Sequence, residues 1–247
     1  MTTSLSEINV IASNLKTVRN TVRSACERVG RDPSEVTIVG VTKTHGLNAI
    51  SGALAAGLTN LGENRAQEFV PKALAYESSP KNENPAGKAV QKLTWHFIGH
   101  LQRNKARQVI PHLNTLHSLD SELLVHEISK RWASGNRPIS GKPIRCFLEV
   151  NITGESQKYG VPPKEIEQLL QITQNCDALE PIGLMTVAPQ TDNPELVRPV
   201  FRELYKLASV HGLDELSMGM TNDYEIAIEE GATAVRIGRA IFGTRTS

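Results

Sequence analysis

VTIVGVTKTHG, residues 36–46, is the stretch from which the fold of this protein can be worked out. Its first residues are mostly valine, isoleucine and threonine, which are typical of a buried strand. The run ends on Lys43, and a charged side chain is a poor end for a buried strand unless the strand opens onto a binding site. A helical pattern follows at once, so the stretch predicts a strand connected to a helix.

The same strand-then-helix order returns along the chain. Strand-like runs lie at 36–42, 57–62, 95–99, 115–119, 144–151, 180–186, 215–220 and 233–238. Helical patterns follow them at 47–56, 64–76, 103–110, 121–134, 163–175, 194–211, 222–230 and from Arg239 onward. Eight such units in 247 residues predict an α/β protein whose parallel sheet closes into a (β/α)8 TIM barrel, as a single domain over residues 1–247.

Two segments fall outside this alternation. The first residues form an amphipathic pattern, which predicts an extra N-terminal helix; Ser4 and Glu7 form a capping box at its start. Gly30 and Pro33 are expected to end this helix. Residues 77–94 are polar and contain two prolines, so we predict a long surface loop between the second helix and the third strand.

Composition and charge narrow the class of function. The formal net charge of +1 gives no electrostatic reason to expect a nucleic acid or an anionic membrane as partner. No apolar run approaches the roughly 20 residues that span a bilayer, and the N-terminus lacks the basic-then-apolar order of a signal peptide. Cys26, Cys146 and Cys176 are widely spaced and odd in number, which predicts buried or half-buried reduced thiols. We therefore expect a cytoplasmic protein.

In a (β/α)8 barrel the functional residues lie where the strands end, at the carboxyl face. Polar or small residues follow the predicted strands at Lys43, Glu63, Asn64, His100, Asp120, Asn151, Thr186, Ser217, Thr221, Gly238 and Arg239. An amine at this rim, partly withdrawn from water, attacks carbonyl groups, which points to Schiff-base chemistry at Lys43. On its position alone, an ordinary solvated lysine is the stronger explanation of Lys43, since most lysines are surface charges.

The last two units carry a phosphate-binding pattern. In both, a glycine lies at the end of the strand and a helix follows directly, and helix N-termini attract anions. The loops after strands seven and eight are the recurrent phosphate site of this fold. Ser217 and Thr221 add hydroxyl groups, and Gly238 lets a ligand approach the backbone. Glycines required only for tight turns are the competing explanation for either loop alone.

Strand alternation directs Arg236 into the barrel, where a guanidinium needs an acceptor. That acceptor is either a carboxylate such as Glu149 or an atom of a ligand, and the sequence leaves both open. His96, inside a strand, is expected to be a hydrogen-bonded core histidine, whereas His100 lies at the rim. Tyr159, in the loop after strand five, either covers the mouth of the site or is simply exposed.

Taken together, the motifs resemble the pyridoxal-phosphate homeostasis protein family, whose fold is that of the N-terminal barrel of alanine racemase. This barrel is fold type III among proteins that bind pyridoxal 5′-phosphate (PLP). The matching stretches occur in the family's order between residues 36 and 243: VGVTKTH, LGENRAQEF, WHFIGHLQRNKAR, LHSLDS, EVNITGESQKYG, GLMTVAP, LSMGMTNDYEIAIEEGATAVRIG and AIFG.

The resemblance implies which residues hold the cofactor ring. Lys43 matches the lysine that binds PLP covalently as a Schiff base. Asn64 matches an asparagine beside the ring, and Met185 matches a residue that lines the same pocket. Arg236 matches the arginine near the pyridine nitrogen, which it keeps unprotonated in related barrel enzymes.

The resemblance also implies a phosphate cradle made by Ser217 and the backbone of Gly238 and Arg239. Arg239 stands where some members have threonine, so the expected contact at this position comes from the backbone rather than from the side chain. Thr42, where many members have serine, keeps a hydroxyl group.

Functions of different classes remain open. As a non-catalytic carrier, the protein would buffer PLP and deliver it to PLP-dependent apo-enzymes. As an amino-acid racemase, it would need a second base, which in alanine racemase is a tyrosine of the partner subunit, and a C-terminal β-domain. The chain ends nine residues after Gly238, and its tyrosines show no second-base context: Tyr76, Tyr159, Tyr205 and Tyr224. We therefore expect a monomeric carrier; a barrel aldolase that uses Lys43 without a cofactor is a third possibility.

Overall fold

The computed structural model describes residues 5–78 and 93–243. Within these ranges eight parallel strands pair in chain order, and the eighth pairs with the first, so that the sheet closes into a barrel. The strands are β1 Thr37–Val41, β2 Asn60–Glu63, β3 Thr94–Phe97, β4 Thr115–Leu119, β5 Ile144–Glu149, β6 Leu179–Met185, β7 Glu215–Met220 and β8 Ala234–Ile237.

Each strand is followed by a helix that packs on the outside of the barrel. The α-helices of the described residues are α1 Leu5–Arg28, α2 Leu47–Ala55, α3 Ala66–Ser78, α4 Arg103–Val109, α5 Glu122–Ala133, α6 Ile166–Gln174, α7 Arg198–Val210, α8 Tyr224–Glu229 and α9 Arg239–Phe242. This order confirms the predicted (β/α)8 TIM barrel with an extra N-terminal helix. The sequence patterns located every strand and α-helix of the described residues, because strand-like and helix-like hydrophobic patterns alternate along the chain.

The N-terminal helix α1 closes the outer layer where the barrel begins and ends. It packs against α2, α8 and α9, and Asn14 Nδ2 donates to the carbonyl oxygen of Ile241 at 3.0 Å. The helix stops at Arg28, and Gly30 follows in the left-handed region with φ 69°. The predicted capping box of Ser4 and Glu7 lies outside the described side chains.

The predicted 77–94 loop falls mostly outside the described residues, since α3 extends to Ser78 and β3 begins at Thr94. The three cysteines are free and buried, as predicted: Cys26, Cys146 and Cys176. Among the helices of residues 5–78 and 93–243, none combines the length and apolar character needed to cross a bilayer.

Apolar side chains fill two regions. The larger core lies between the strands and the surrounding helices and includes Phe69, Phe97 and Phe201, all fully buried. A small cluster of Phe147, Met185 and Ala234 forms a second core, with Ile182 packed against it. The carboxyl end of the barrel, where the polar and reactive side chains lie, is therefore packed against a layer of apolar side chains.

Candidate functional site at the carboxyl end of the barrel

Lys43 and Asn64 lie on one rim of the barrel. Val41 pairs with Gly62 in the β1–β2 ladder, and Lys43 and Asn64 each follow two residues later. Lys43 is exposed, whereas the sequence analysis had associated Schiff-base chemistry with an amine partly withdrawn from water. Asn64 is half-buried, and its Oδ1 has no hydrogen-bond partner in the described part of the chain. An accessible amine and a free amide acceptor therefore share the rim.

Gly99 sets the position of Asn64. A Cβ atom at Gly99 would overlap the carbonyl oxygen of Asn64 and lie 2.9 Å from its Cα. Only glycine allows the loop after β2 to pack this closely on the end of β3. The sequence stretch WHFIGH contains this glycine, but its partner across the rim is visible only in three dimensions.

The two glycines of the last two units have different uses. Gly219 has φ 89°, and a Cβ atom there would lie 2.5 Å from the Cβ of Ala227, so the fold itself requires glycine. Gly238 has φ −106°, and a Cβ atom there would lie 3.4 Å from the carbonyl oxygen of Val41, an ordinary contact. The tight-turn explanation therefore accounts for Gly219 but not for Gly238, where α9 begins.

Arg236 points into the barrel, as strand alternation predicted, and is buried. Its Nη1 donates to Ser217 Oγ at 2.6 Å, and its Nη2 donates to the carbonyl oxygen of Thr186 at 2.9 Å. Neither of these acceptors is the carboxylate of Glu149, which we had considered as a partner. Burial lowers the pKa of Arg236 to about 10, so the guanidinium remains charged at neutral pH.

A chain of hydrogen bonds continues from Ser217 through the interior of the barrel. Ser217 Oγ lies 2.7 Å from His117 Nδ1, and His117 Nε2 lies 2.8 Å from His96 Nδ1. His96 Nε2 lies 3.0 Å from Asn60 Oδ1. Because Arg236 can only donate and Asn60 Oδ1 can only accept, every hydrogen in the chain points from Arg236 toward Asn60.

Both histidines in this chain are neutral. Burial lowers the pKa of His96 to about 3 and holds the pKa of His117 well below its ordinary value, with help from the charge of Arg236 at His117. The prediction that His96 is a hydrogen-bonded core histidine is confirmed. No sequence pattern indicated that His117 is its partner, because the two residues meet only across β3 and β4.

Three other predicted residues lie at different depths. Met185 is buried beside Phe147 in the second core. Arg239 is exposed in the first turn of α9. Thr221 lines a separate cleft of about 300 Å³ beside α8, together with Arg28. The structure thus brings Lys43 beside Asn64 through the β1–β2 ladder and joins Ser217 to Arg236 by a hydrogen bond, whereas Thr221 lines a different cleft.

The opposite side of the rim is formed by β3, β4 and the loop after β5. His100 Nδ1 donates to Asp120 Oδ2 at 2.7 Å, and the ring of Tyr159 stacks on His100 with 4.1 Å between centroids and 8° between planes. Tyr159 also lines a cleft of about 170 Å³ with Glu149 and Asn151. Tyr159 is 57% exposed, so its ring faces solvent while it stacks on His100 at the rim.

Glu149 carries a carboxyl group that the sequence suggested only as an acceptor for Arg236. It is buried, and its Oε2 has no hydrogen-bond partner among the described residues. Burial and then the charge of Asp120 raise the pKa of this carboxyl, Arg236 acts to lower it, and the net pKa is about 7. Glu149 therefore changes its protonation near neutral pH inside the cleft.

The comparisons with known proteins agree on one family. Residues 13–246 match the family described as "Alanine racemase, N-terminal domain". The chain is 39% identical to the pyridoxal phosphate homeostasis protein of Aquifex aeolicus, covering 94% of this chain and 96% of the relative. It is 36% identical to the protein of that name from Pseudomonas aeruginosa, covering 96% and 97%.

Solved structures show the same barrel. PipY of Synechococcus elongatus PCC7942, solved with PLP bound, is 29% identical, covers 94% of this chain and 100% of its own, and has a TM-score of 0.77. Alanine racemase of Corynebacterium glutamicum is 14% identical over 96% of this chain and 62% of its own, with a TM-score of 0.66, a likeness of fold alone. This chain therefore belongs to the family of pyridoxal phosphate homeostasis proteins, which is built on the alanine racemase N-terminal barrel.

Proposed function

We propose that this protein holds pyridoxal 5′-phosphate as a Schiff base on Lys43 and serves to buffer and deliver this cofactor inside the cell. The observation that carries the proposal is the β1–β2 pairing, which brings the exposed amine of Lys43 to the same rim as the Asn64 amide, whose oxygen has no partner among the described residues. The names of the curated relatives and the PLP bound in PipY support it.

The residues at the rim fit a phosphorylated aldehyde. The cofactor supplies the aldehyde; the amine of Lys43 forms a C=N bond with its carbon, and the carbonyl oxygen leaves as water. Asn64 Oδ1 offers a hydrogen-bond acceptor beside this position, and Met185, which is buried in the second core, lines the pocket from below. We assign these three residues to the ring end of the cofactor.

We assign the phosphate end to the backbone of Gly238 and Arg239, at the start of α9. The fold leaves room for a Cβ at Gly238, so a glycine there is explained by a ligand close to the backbone. Ser217 joins the site by holding the Arg236 guanidinium at 2.6 Å. A fixed cation such as Arg236 near a pyridine nitrogen disfavours its protonation. In this proposal one domain over residues 1–247 carries the whole site.

The alternative is a PLP-dependent amino-acid racemase. Of the four tyrosines, Tyr159 lies at the mouth of the barrel, stacked on His100, and is the group to test as a second base. We favour the carrier, because the curated relatives are named for homeostasis of the cofactor. Apo-enzymes that receive PLP would be its partners.

The visible spectrum of the purified protein tests the covalent attachment. We expect a yellow protein, and borohydride should fix the cofactor on Lys43, where peptide mass spectrometry locates it. Lys43→Ala should abolish both colour and label. Lys130→Ala, which removes an exposed lysine of α5, is the matched control and should keep both. A Lys43→Ala protein that stayed yellow and labelled would overturn the assignment.

Incubation with amino acids separates the carrier from the enzyme. The yellow protein is mixed with single L-amino acids, and the D-enantiomer and keto acid are followed by chiral chromatography. We expect no turnover above free PLP. Turnover that disappears in Tyr159→Phe would establish the racemase instead. Transfer of PLP to an apo-enzyme faster than from free solution at the same free concentration would support delivery.

A further inference from the structure

A buried lysine lies directly behind the strand end that carries Lys43. Lys72 of α3 is 8% exposed, and its Nζ donates to the carbonyl oxygen of Thr42 at 2.8 Å and to Glu63 Oε1 at 2.6 Å. The longer contact to Glu68 Oε2, at 3.4 Å, gives the third N–H of the ammonium an acceptor. The hydroxyl of Thr42 also donates to Glu63 Oε1, at 2.5 Å. All three N–H groups of the Lys72 ammonium therefore have hydrogen-bond acceptors within the protein.

These contacts fix the backbone of the turn around Lys43, both before and after that residue. On one side, the carbonyl oxygen of Thr42 accepts from Lys72 and from the amide of His45, at 3.0 Å, which closes a four-residue turn with Lys43 in second place. On the other side, the amide of Thr44 donates to Glu68 Oε2 at 2.5 Å. The residue before Lys43 and the residue after it are therefore both fixed to α3.

The turn needs such support because Thr44 has φ 68°, in the left-handed region. A β-branched residue is rare there, and such a conformation persists only where surrounding contacts hold it. The hydrogen bond from the backbone amide of Thr44 to Glu68 Oε2 is the contact that holds Thr44 in this conformation. Burial alone would raise the pKa of Glu68, but the Thr44 amide and Lys72 lower it overall, which keeps this acceptor ionised at neutral pH.

We propose that Lys72, with Glu63 and Glu68, positions the amine of Lys43 by fixing the backbone of its turn. The inference rests on the proposed function, in which Lys43 carries the cofactor. Lys72 contacts no ligand in this scheme, since its three donors are taken by protein acceptors. It is a positioning residue, and it is not among the residues that match those of the family's cofactor site.

Glu68→Ala is the variant of choice, because Lys72→Met leaves the buried carboxylate of Glu63 unpaired and endangers folding. In the cofactor-free protein we expect hydrogen exchange of the Thr44 amide to rise about tenfold, as for loss of one bond to a charged acceptor. Glu68→Gln keeps an acceptor oxygen and should restore most of the protection. Glu77→Ala, on the same helix and bonded to His112, is the control and should leave Thr44 unchanged.

The second readout is the rate at which Lys43 reacts. We expect Glu68→Ala to slow Schiff-base formation with added PLP about tenfold, with Glu68→Gln closer to wild type, while the label stays on Lys43. Unchanged exchange at Thr44 and an unchanged rate in Glu68→Ala would overturn the positioning role even if the wild type is yellow. A wild-type protein without a Lys43 label would sink the proposed function instead, and the exchange of Thr44 would still decide whether the turn is held.

Discussion

Gly238 and Gly219 lie in neighbouring loops at the carboxyl end of the barrel, but the fold needs only one of them. We predict that Gly238→Ala leaves the unfolding free energy of the cofactor-free protein within about 0.5 kcal/mol of wild type, because its Cβ meets nothing closer than 3.4 Å. The same methyl group would lie in the path of a phosphate, so the affinity for PLP should fall. Urea unfolding and a spectroscopic PLP titration measure the two effects separately.

Gly219→Ala is the matched comparison, since it combines φ 89° with a Cβ overlap at Ala227. It should lose stability whether or not PLP is present. If Gly238→Ala instead bound PLP as tightly as wild type, the phosphate would have to be placed elsewhere on the rim.

Glu149 gives a prediction about pH. Its carboxyl has a folded-state pKa of about 7 against an ordinary value of 4.5. As pH rises between these values, the unfolded chain releases the proton and the folded chain keeps it, so the wild type loses stability. Glutamine does not titrate, so Glu149→Gln should gain about 3 kcal/mol relative to wild type between about pH 4 and about pH 8.

Chemical unfolding of both proteins at the two pH values measures this gain. Glu165→Gln, at an exposed position before α6, should show no such change relative to wild type. A constant difference between Glu149→Gln and wild type across the range would show that the pKa of Glu149 is not raised in the folded state.

At the scale of elements, the strands β6 and β7 pack closely against each other and also carry residues of the candidate site. A Cβ at Gly183 of β6 would overlap the carbonyl oxygen of Glu215 on β7, and Met185 pairs with Ser217 farther along the same ladder. We predict that Gly183→Ala costs about 3 kcal/mol, because two backbones must separate. Guanidinium unfolding measures the loss; Gly46→Ala, with open space around it, should cost far less. Equal costs would contradict the close approach of the strands.

The sequence predicted the elements well because each one is specified locally. Hydrophobic periodicity within ten or so residues fixes whether a segment is strand or helix, and eight repeats leave one closed arrangement. Lys43, Asn64, Ser217, Arg236 and Gly238 could be proposed because strand ends in this fold share one face.

Contacts between distant residues could not be predicted in this way. The bond of Lys72 to Thr42 joins residues 30 positions apart, and that of His117 to Ser217 spans 100 positions. No local pattern encodes such pairs, so sequence reasoning left the acceptor of Arg236 open, and it associated Schiff-base chemistry with a Lys43 amine partly withdrawn from water, whereas Lys43 is exposed. One feature of the sequence pointed to a buried role for Lys72, namely its place on the apolar side of α3.

For the molecule as a whole, an ion-pair network ties the first helix to the last third of the chain. Glu229 of α8 accepts from Arg28 of α1 and from Arg198 of α7, at 2.7 Å in each case. Arg198 also contacts Glu195 and Glu230. Because Glu229 has only 14% of its side chain exposed, its bonds are less weakened by water than those of a typical surface pair.

We predict that Glu229→Gln lowers the unfolding free energy by about 1–2 kcal/mol at neutral pH, because both arginines lose a charged partner. The difference from wild type should shrink when salt is raised from about 0.05 M to about 1 M, which shortens the screening length to about 3 Å. Urea unfolding at both salt concentrations measures it. Glu203→Gln is the control, because within residues 5–78 and 93–243 Glu203 forms an ion pair only with Lys206, at 3.9 Å with both side chains exposed. It should change stability by less than about 0.5 kcal/mol. Equal effects of the two variants would mean that α1 is held by its apolar contacts with α2, α8 and α9, and that the network across the ends of the barrel contributes nothing.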